Sequence, residues 1–282
     1  MIYEHEIPTG SKLYFGKSAK LKRDIETKAG DLLQKRGFEE IVTPFFSYHQ
    51  HKSIAEKELI RFGDESNHLL SLRADSTMDV VRLMSKRLGR STKHDKWFYI
   101  QPVFKFPNIE INQIGCEYIG CEDLSLSLKT SIELFEELDL NPLLQICNIN
   151  IPKLLAKEFD LGLEVFENGE LQKLLSLEIS WLKKLAKLQY PKDLQEVIDE
   201  VPLHVKEELL KMEEIKNKID YDKVVFSPLY YAKMRYYDGL FFRFIDRNLT
   251  LGLGGSYENE GIRSNGFGLY TDAIIDTLIK GQ

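Results

Sequence analysis

The chain has 282 residues, 43% hydrophobic and 29% charged, ordinary globular proportions that suffice for one large domain or one domain with an insertion. A net charge of -6 and a pI near 5.7 argue against a protein whose main work is gripping nucleic acid, since neutralising phosphates takes clustered Lys and Arg. With a mean hydropathy of -0.28, no run approaching the ~20 apolar residues of a membrane helix and no basic segment leading into an apolar stretch at the start, the expectation is a cytoplasmic protein without a membrane.

In chain order, Lys20 to Lys35 carry Leu21, Ile25, Ala29, Leu32 and Leu33 at helical spacing, and Gly37 supplies a C-cap. Glu39 to Pro44 predicts a short strand stopped by the proline. Leu69 to Arg73 predicts a second strand. It runs into Asp75-Ser76-Thr77-Met78-Asp79, whose hydroxyl and acidic side chains suit a helix start, and Val80, Val81, Met84 and Leu88 continue that helix to Gly89. Trp97 to Phe104 and Ile111 to Ile119 predict a hairpin turning at Pro107-Asn108. Leu124 to Leu138 has a helical period, and Leu143 to Ile151 reads as a strand. Pro152 opens a different region, rich in Leu, Lys and Glu from 153 to 225, where several amphipathic helices are expected as a helical insertion. Strand signals return at Val224-Val225-Phe226, Tyr236 to Ile245 and Asn248 to Leu253, before a last helix near Asp272 to Ile279. The three cysteines, Cys116, Cys121 and Cys147, are too few for a disulfide framework, and no second Cys/His pair at zinc spacing joins Cys116 and Cys121, so no metal site is expected.

The strand Ile111 to Ile119 carries the first chemical signal. Alternation puts Ile114, Cys116 and Tyr118 on one face and Gln113 and Glu117 on the other, their Cα atoms about 13 Å apart with Gly115 between them. The glycine leaves room over the sheet for a small ligand. A carboxylate there would seek an ammonium, and an amide would take either a donor or an acceptor. The same pattern also describes a one-sided sheet with polar residues on its wet face.

Neighbouring segments bear on that choice. Leu72-Arg73-Ala74-Asp75-Ser76-Thr77 resembles the Leu-Arg-Pro-Glu-Gly-Thr motif of histidyl-tRNA synthetases, and more closely the Leu-Arg-x-Asp-x-Thr form of their non-catalytic relatives, the regulatory subunits of ATP phosphoribosyltransferase. The helix, glycine, strand and proline of residues 20–44 resemble motif 1 of class II synthetases, which implies a dimer interface. Gln113 and Glu117 match the motif 2 strand Gln-x-Gly-x-Glu. Tyr236-Tyr237-Asp238-Gly239-Leu240-Phe241-Phe242 resembles the Tyr-Tyr-x-Gly-x-Val-Phe histidine block, and Gly254-Gly255-Ser256-Tyr257 the Gly-Gly-x-Tyr strand that leads, through the glycine-rich segment Gly266 to Ala273, into the motif 3 helix. The resemblance covers nearly all of the chain apart from 153–225. It implies an α+β fold, a class II aminoacyl-tRNA synthetase-like core whose mostly antiparallel sheet is flanked by helices, with residues 1–152 and 226–282 as core. It also implies a histidine site. Asp75 and Thr77 would hold the amino group, Gln113 and Glu117 would face the amino acid, one or both of Tyr236 and Tyr237 would line the imidazole, and Gly254, Gly255 and Tyr257 would lie beneath.

The cation pattern departs from the synthetases. Motif 2 opens there with Phe-Arg and a long loop. Here Phe104-Lys105-Phe106-Pro107 has a lysine, which lacks the planar two-pronged grip of arginine on phosphate, and a very short loop. The arginine four residues before the Tyr-Tyr pair is Ala232 here, with Arg235 on the wrong side of a strand to replace it, and the motif 3 arginine is Ala273. Phosphate-clamping groups contribute on the order of 10²–10³ each to rate, so losing three leaves no useful adenylate formation. The sequence also stops soon after motif 3, where a synthetase continues into an anticodon-binding domain. An amino-acid half without its ATP half implies a non-catalytic regulatory subunit of ATP phosphoribosyltransferase in histidine biosynthesis. Such a subunit has no cofactor, dimerises, activates a short catalytic subunit, takes part in feedback by histidine and has no use for tRNA. Two alternatives stay open: a truncated histidyl-tRNA synthetase-like ligase, and a paralogue turned to binding another small molecule or a protein.

Overall fold

The computed structural model describes residues 6–48, 54–231, 236–259 and 261–280. The chain divides into two compact units, Met1–Gly120 with Gly266–Gln282, and Cys121–Asn265.

In the first unit, helix α1 (Gly16–Lys35) buries Ile25, Ala29 and Leu33. Its first turn is tied by Ser18, whose hydroxyl donates to the Phe15 carbonyl and accepts from the Phe15 amide. Gly37, at φ +81°, takes the left-handed turn that ends the helix. Strand β1 is only Glu39–Glu40, shorter than the 39–44 stretch that its composition suggests. The cause is Arg73, a fully buried arginine. Its guanidinium draws the carbonyls of Thr43 (2.7 Å) and Pro44 (3.4 Å) as well as that of Pro102 (2.6 Å), so those peptides serve a cation and not a ladder. Strands β2 (Phe46–Ser47), β3 (Arg61–Gly63) and β4 (Leu69–Leu72) form a small antiparallel sheet in the order β2-β4-β3, of which only β4 carries a sequence signal. Asp75 then caps α2 (Ser76–Lys86), its carboxylate accepting from the Met78 amide at 2.9 Å. β5 (Lys96–Lys105) and β6 (Ile109–Tyr118) pair antiparallel from Lys96–Tyr118 to Lys105–Ile109, while β1 joins the other edge of β5 in parallel. α2 packs Val80 and Met84 against Ile41, Trp97 and Tyr99 on one face. α1 approaches the opposite face closely, with the Gly30 position 3.8 Å from the tip of Ile100.

The second unit opens with α3 (Leu124–Glu137), capped by Asp123 and burying Leu128, Ile132 and Phe135. β7 (Leu143–Asn148) stops three residues short of the expected Ile151. The Asn148 side chain accepts from the Asn150 amide, and α4 (Asn150–Glu158) begins there, with Pro152 in its first turn, where a missing N–H costs nothing. Five further helices follow: α5 (Glu164–Glu167), α6 (Leu171–Leu175), α7 (Ser180–Lys187), α8 (Leu194–Ile198) and α9 (Leu203–Asn217). They end at β8 (Val224–Phe226), which pairs with β7 in parallel. Parallel neighbours need a long crossover, and the Leu/Lys/Glu-rich helical stretch supplies it. β9 (Tyr237–Asp246) and β10 (Leu249–Asn259) form a hairpin whose turn places Arg247 at φ +51°, and β9 also pairs antiparallel with β7. The unit's strand order is β10-β9-β7-β8. Phe135 of α3 sits 4.7 Å, centroid to centroid, from Phe244 in its core.

β11 (Ile262–Tyr270) carries the chain back to the first unit, and α10 (Thr271–Lys280) follows. The glycine-rich segment from Gly266 is therefore strand up to Tyr270, and the helix starts only at Thr271. Burial alternates from Phe267 to Tyr270, and β-prone Phe267, Leu269 and Tyr270 outweigh the glycines. In both units the strands are mostly antiparallel and flanked by helices. Among the described residues no helix is long and apolar enough to cross a membrane.

Candidate functional site

The nine residues singled out in the sequence fall into two groups, one in each unit. In the first unit, Asp75 and Thr77 stand at the start of α2, and Gln113 and Glu117 lie on one face of β6. Asp75, Thr77 and Gln113 are half-buried, whereas Glu117 is fully buried. The room expected over Gly115 is filled by the protein itself. Tyr99, opposite Gly115 on β5, lays its phenol there, and a Cβ on Gly115 would sit 2.4 Å from the Tyr99 Cζ and Oη. Gly266 does the same for Glu117, since a Cβ there would lie 2.7 Å from the Glu117 carboxyl carbon and 2.6 Å from the Cys116 carbonyl oxygen. The glycines admit side chains of the chain, not an open floor for a ligand.

Tyr99 was not legible as a site residue, because its position in an aromatic strand reads as core. It is 1% exposed, and its hydroxyl lies 3.1 Å from the Thr77 hydroxyl. Burial first, then the nearby charges of Glu117 and Asp75, pushes its pKa well above the ordinary tyrosine value, so it stays a neutral phenol. Burial, and then Glu117, likewise holds the Cys116 thiol up. Gln101, which faces Gln113 across the hairpin, is itself buried and engaged. Its amide accepts from the Thr43 N–H and donates to the Thr43 and Ser76 hydroxyls, each at 3.1 Å. Gln113 also borders a cavity of about 430 Å³, which is shared with the charged face of α1 (Lys22, Arg23, Glu26). Phe98, Ile100 and Pro102 line that cavity, so it opens mainly on the α1 side of the hairpin, away from Thr77 and Tyr99.

The second group is aromatic. Tyr236 and Tyr237 have ring centroids 4.8 Å apart, and Tyr236 lies 6.0 Å from Tyr257. Tyr237 stacks on Phe241 at 5.9 Å and 9° and pairs in register with Tyr257. Tyr237 and Tyr257 are buried, packed as core residues, and Tyr236 keeps some exposed surface. Gly254 and Gly255 are buried opposite Phe242 and Phe241, and a Cβ on Gly255 would come within 2.6 Å of the Tyr237 ring.

Of the positions that the motif resemblance matches to synthetase arginines, Ala232 lies outside the described residues, as does the nearby Arg235. Lys105 ends β5 and ion-pairs with Glu58 at 3.7 Å. Ala273 is half-buried in the first turn of α10. The neighbouring Asp272 is occupied within its own unit: its carboxylate accepts from the backbone and side-chain amides of Asn112, both at 2.9 Å, and from the Tyr14 hydroxyl. Burial and this carboxylate raise the Tyr14 pKa. No sequence signal pointed to this link, because its three members lie far apart along the chain. Among the described residues no group of three or more His, Cys, Asp or Glu side chains could hold a metal ion.

A family model described as histidyl-tRNA synthetase matches residues 15–274. The chain is 49% identical over 281 residues to an ATP phosphoribosyltransferase regulatory subunit of Wolinella succinogenes, covering 99% of this chain and 98% of that one. It is 44% identical to one from Helicobacter hepaticus, covering 99% of this chain and all of that one. Among solved structures, an ATP phosphoribosyltransferase regulatory subunit/histidyl-tRNA synthetase from Bacillus halodurans superposes with a TM-score of 0.83 at 20% identity, over 99% of this chain and 84% of that one, which shows a shared fold.

Proposed function

The chain belongs to the histidyl-tRNA synthetase family and, within it, to the ATP phosphoribosyltransferase regulatory subunits, with a regulatory role in histidine biosynthesis; from that premise we propose that it binds histidine without activating it and passes that signal to the ATP phosphoribosyltransferase catalytic subunit. The observation that carries the reading is near full-length similarity to two relatives so named. Its chemistry agrees. Asp75 and Thr77 present a carboxylate and a hydroxyl with exposed surface, suited to an α-ammonium, and Gln113 adds an amide. Glu117, Tyr236, Tyr237, Gly254, Gly255 and Tyr257 complete the proposed ligand set. The motif resemblance matches Lys105 and Ala273 to arginines with which a synthetase would grip ATP, and on that ground we read the chain as non-catalytic, with no part for tRNA. We further read it as a cytoplasmic dimer whose 153–225 helices are an insertion in the core.

The logic is linkage. A ligand that prefers one assembly state shifts the equilibrium by its differential affinity. Histidine at 100 times its dissociation constant is expected to add about 2.7 kcal/mol to folding stability. It is also expected to change the rate at which a short catalytic subunit, reconstituted with this chain, makes its product. A thermal melt that does not move in millimolar histidine removes the ligand from the proposal. A catalytic subunit whose rate is the same with and without this chain removes the partner.

A further inference from the structure

We infer that Tyr99 is a positioning residue for the amino-acid half-site of the first unit, fixing the Thr77 hydroxyl in the orientation that receives a ligand's α-ammonium. The inference rests on the histidine reading above.

Thr77 is the second residue of α2, in the turn where backbone N–H groups still lack helical partners. A threonine in a helix divides between two side-chain rotamers, so its hydroxyl is not fixed by the helix alone. Here it meets the Tyr99 hydroxyl at 3.1 Å. Tyr99 is itself immobilised. It is 1% exposed, paired with Gly115 across the hairpin, and its phenol occupies the volume in which any side chain at 115 would stand. On the other side its hydroxyl lies 4.0 Å from the Gly268 Cβ position. A rigid phenol bonded to a rotatable hydroxyl selects one rotamer of that hydroxyl. With one Thr77 oxygen lone pair or proton committed to Tyr99, the remaining capacity points along a defined direction, in the same helix start that the half-buried Asp75 caps. Tyr99 thus acts through Thr77, and Gly115 is required because only glycine leaves the phenol its place.

The test is a double-mutant cycle on the full chain, titrated calorimetrically with L-histidine and with imidazolepropionate, which lacks the amino group. Tyr99→Phe keeps the ring and removes the hydroxyl. It is expected to weaken histidine binding roughly three- to tenfold, the worth of one neutral hydrogen bond. Imidazolepropionate affinity should stay unchanged, and adding Tyr99→Phe to Thr77→Ala should cost nothing more. Equal losses for both ligands, no loss, or a loss that persists without Thr77 would each assign Tyr99 to packing alone and overturn the inference. Ligand-free melts check that the variants fold. If Tyr99→Phe does not fold, Gly115→Ala, which displaces the phenol from the opposite strand, must reproduce the selective loss. A wild-type chain that binds no histidine sinks the functional reading and this inference with it. Wild-type binding with an indifferent Tyr99→Phe sinks the inference alone.

Discussion

At the scale of single residues, the first unit buries two ionisable side chains, Arg73 and Asp79, each with partners of its own. Arg73 is saturated by main-chain carbonyls and by the Thr43 hydroxyl at 3.0 Å, with the Phe45 ring 5.0 Å from its guanidinium carbon. Asp79, one turn into α2, is 5% exposed and has Arg82 at 3.2 Å. Burial outweighs that ion pair and raises the Asp79 pKa from the ordinary 3.8 to about 6. A carboxyl with a raised folded-state pKa keeps its proton where the unfolded chain has released it. Its contribution therefore falls as pH rises from about 4 to about 6 and is flat above. The full swing is at most about 3 kcal/mol. Urea denaturation at pH 4, 5, 6 and 7 is expected to show Asp79→Asn losing less stability, or gaining more, than wild type across that window. Parallel curves would mean that Asp79 ionises normally.

At the scale of elements, glycines set how closely strands carry their aromatic rings. Gly255 on β10 lies under Tyr237, and a methyl there would also come within 2.9 Å of the Phe241 Cβ. Gly255→Ala is expected to cost about 1–3 kcal/mol, as overpacking of a filled core does, measured as a lower urea midpoint with unchanged m-value. A neutral outcome would mean that the Tyr237 ring moves aside freely. The helices and the long strands were legible because period and glycine or proline punctuation survive in one dimension: α1, α3, β5, β6 and β9 sit within a few residues of their expected bounds. The two short strands β2 and β3 were not, because two or three residues hold no period. The site was half legible. Asp75 was readable as a helix start, and the Gln113–Glu117 face as alternation. The occupant of the space above Gly115 was not, since Tyr99 reaches it from another strand and only register decides which residue stands opposite a glycine.

At the scale of the whole molecule, the proposed loss of chemistry belongs to a constellation and not to one side chain. Lys105 has Glu58 beside it, and Ala273 offers no cation at all. Groups that clamp a transition state together are strongly non-additive, so one restored arginine gains little while its partners are missing. Neither the wild-type chain nor Lys105→Arg is expected to support histidine-dependent ATP–pyrophosphate exchange. Clear exchange by either would refute the non-catalytic reading.

The link from Asp272 to Asn112 has a kinetic consequence. Asn112 stands opposite Pro102, which has no N–H, and its own backbone amide is spent on a carboxylate at the head of α10. That one proton is sheltered by the C-terminal helix. Its escape to solvent is paced by how often α10 lifts from β6, and the strand carries within it a clock for the fraying of a helix 160 residues further along the chain.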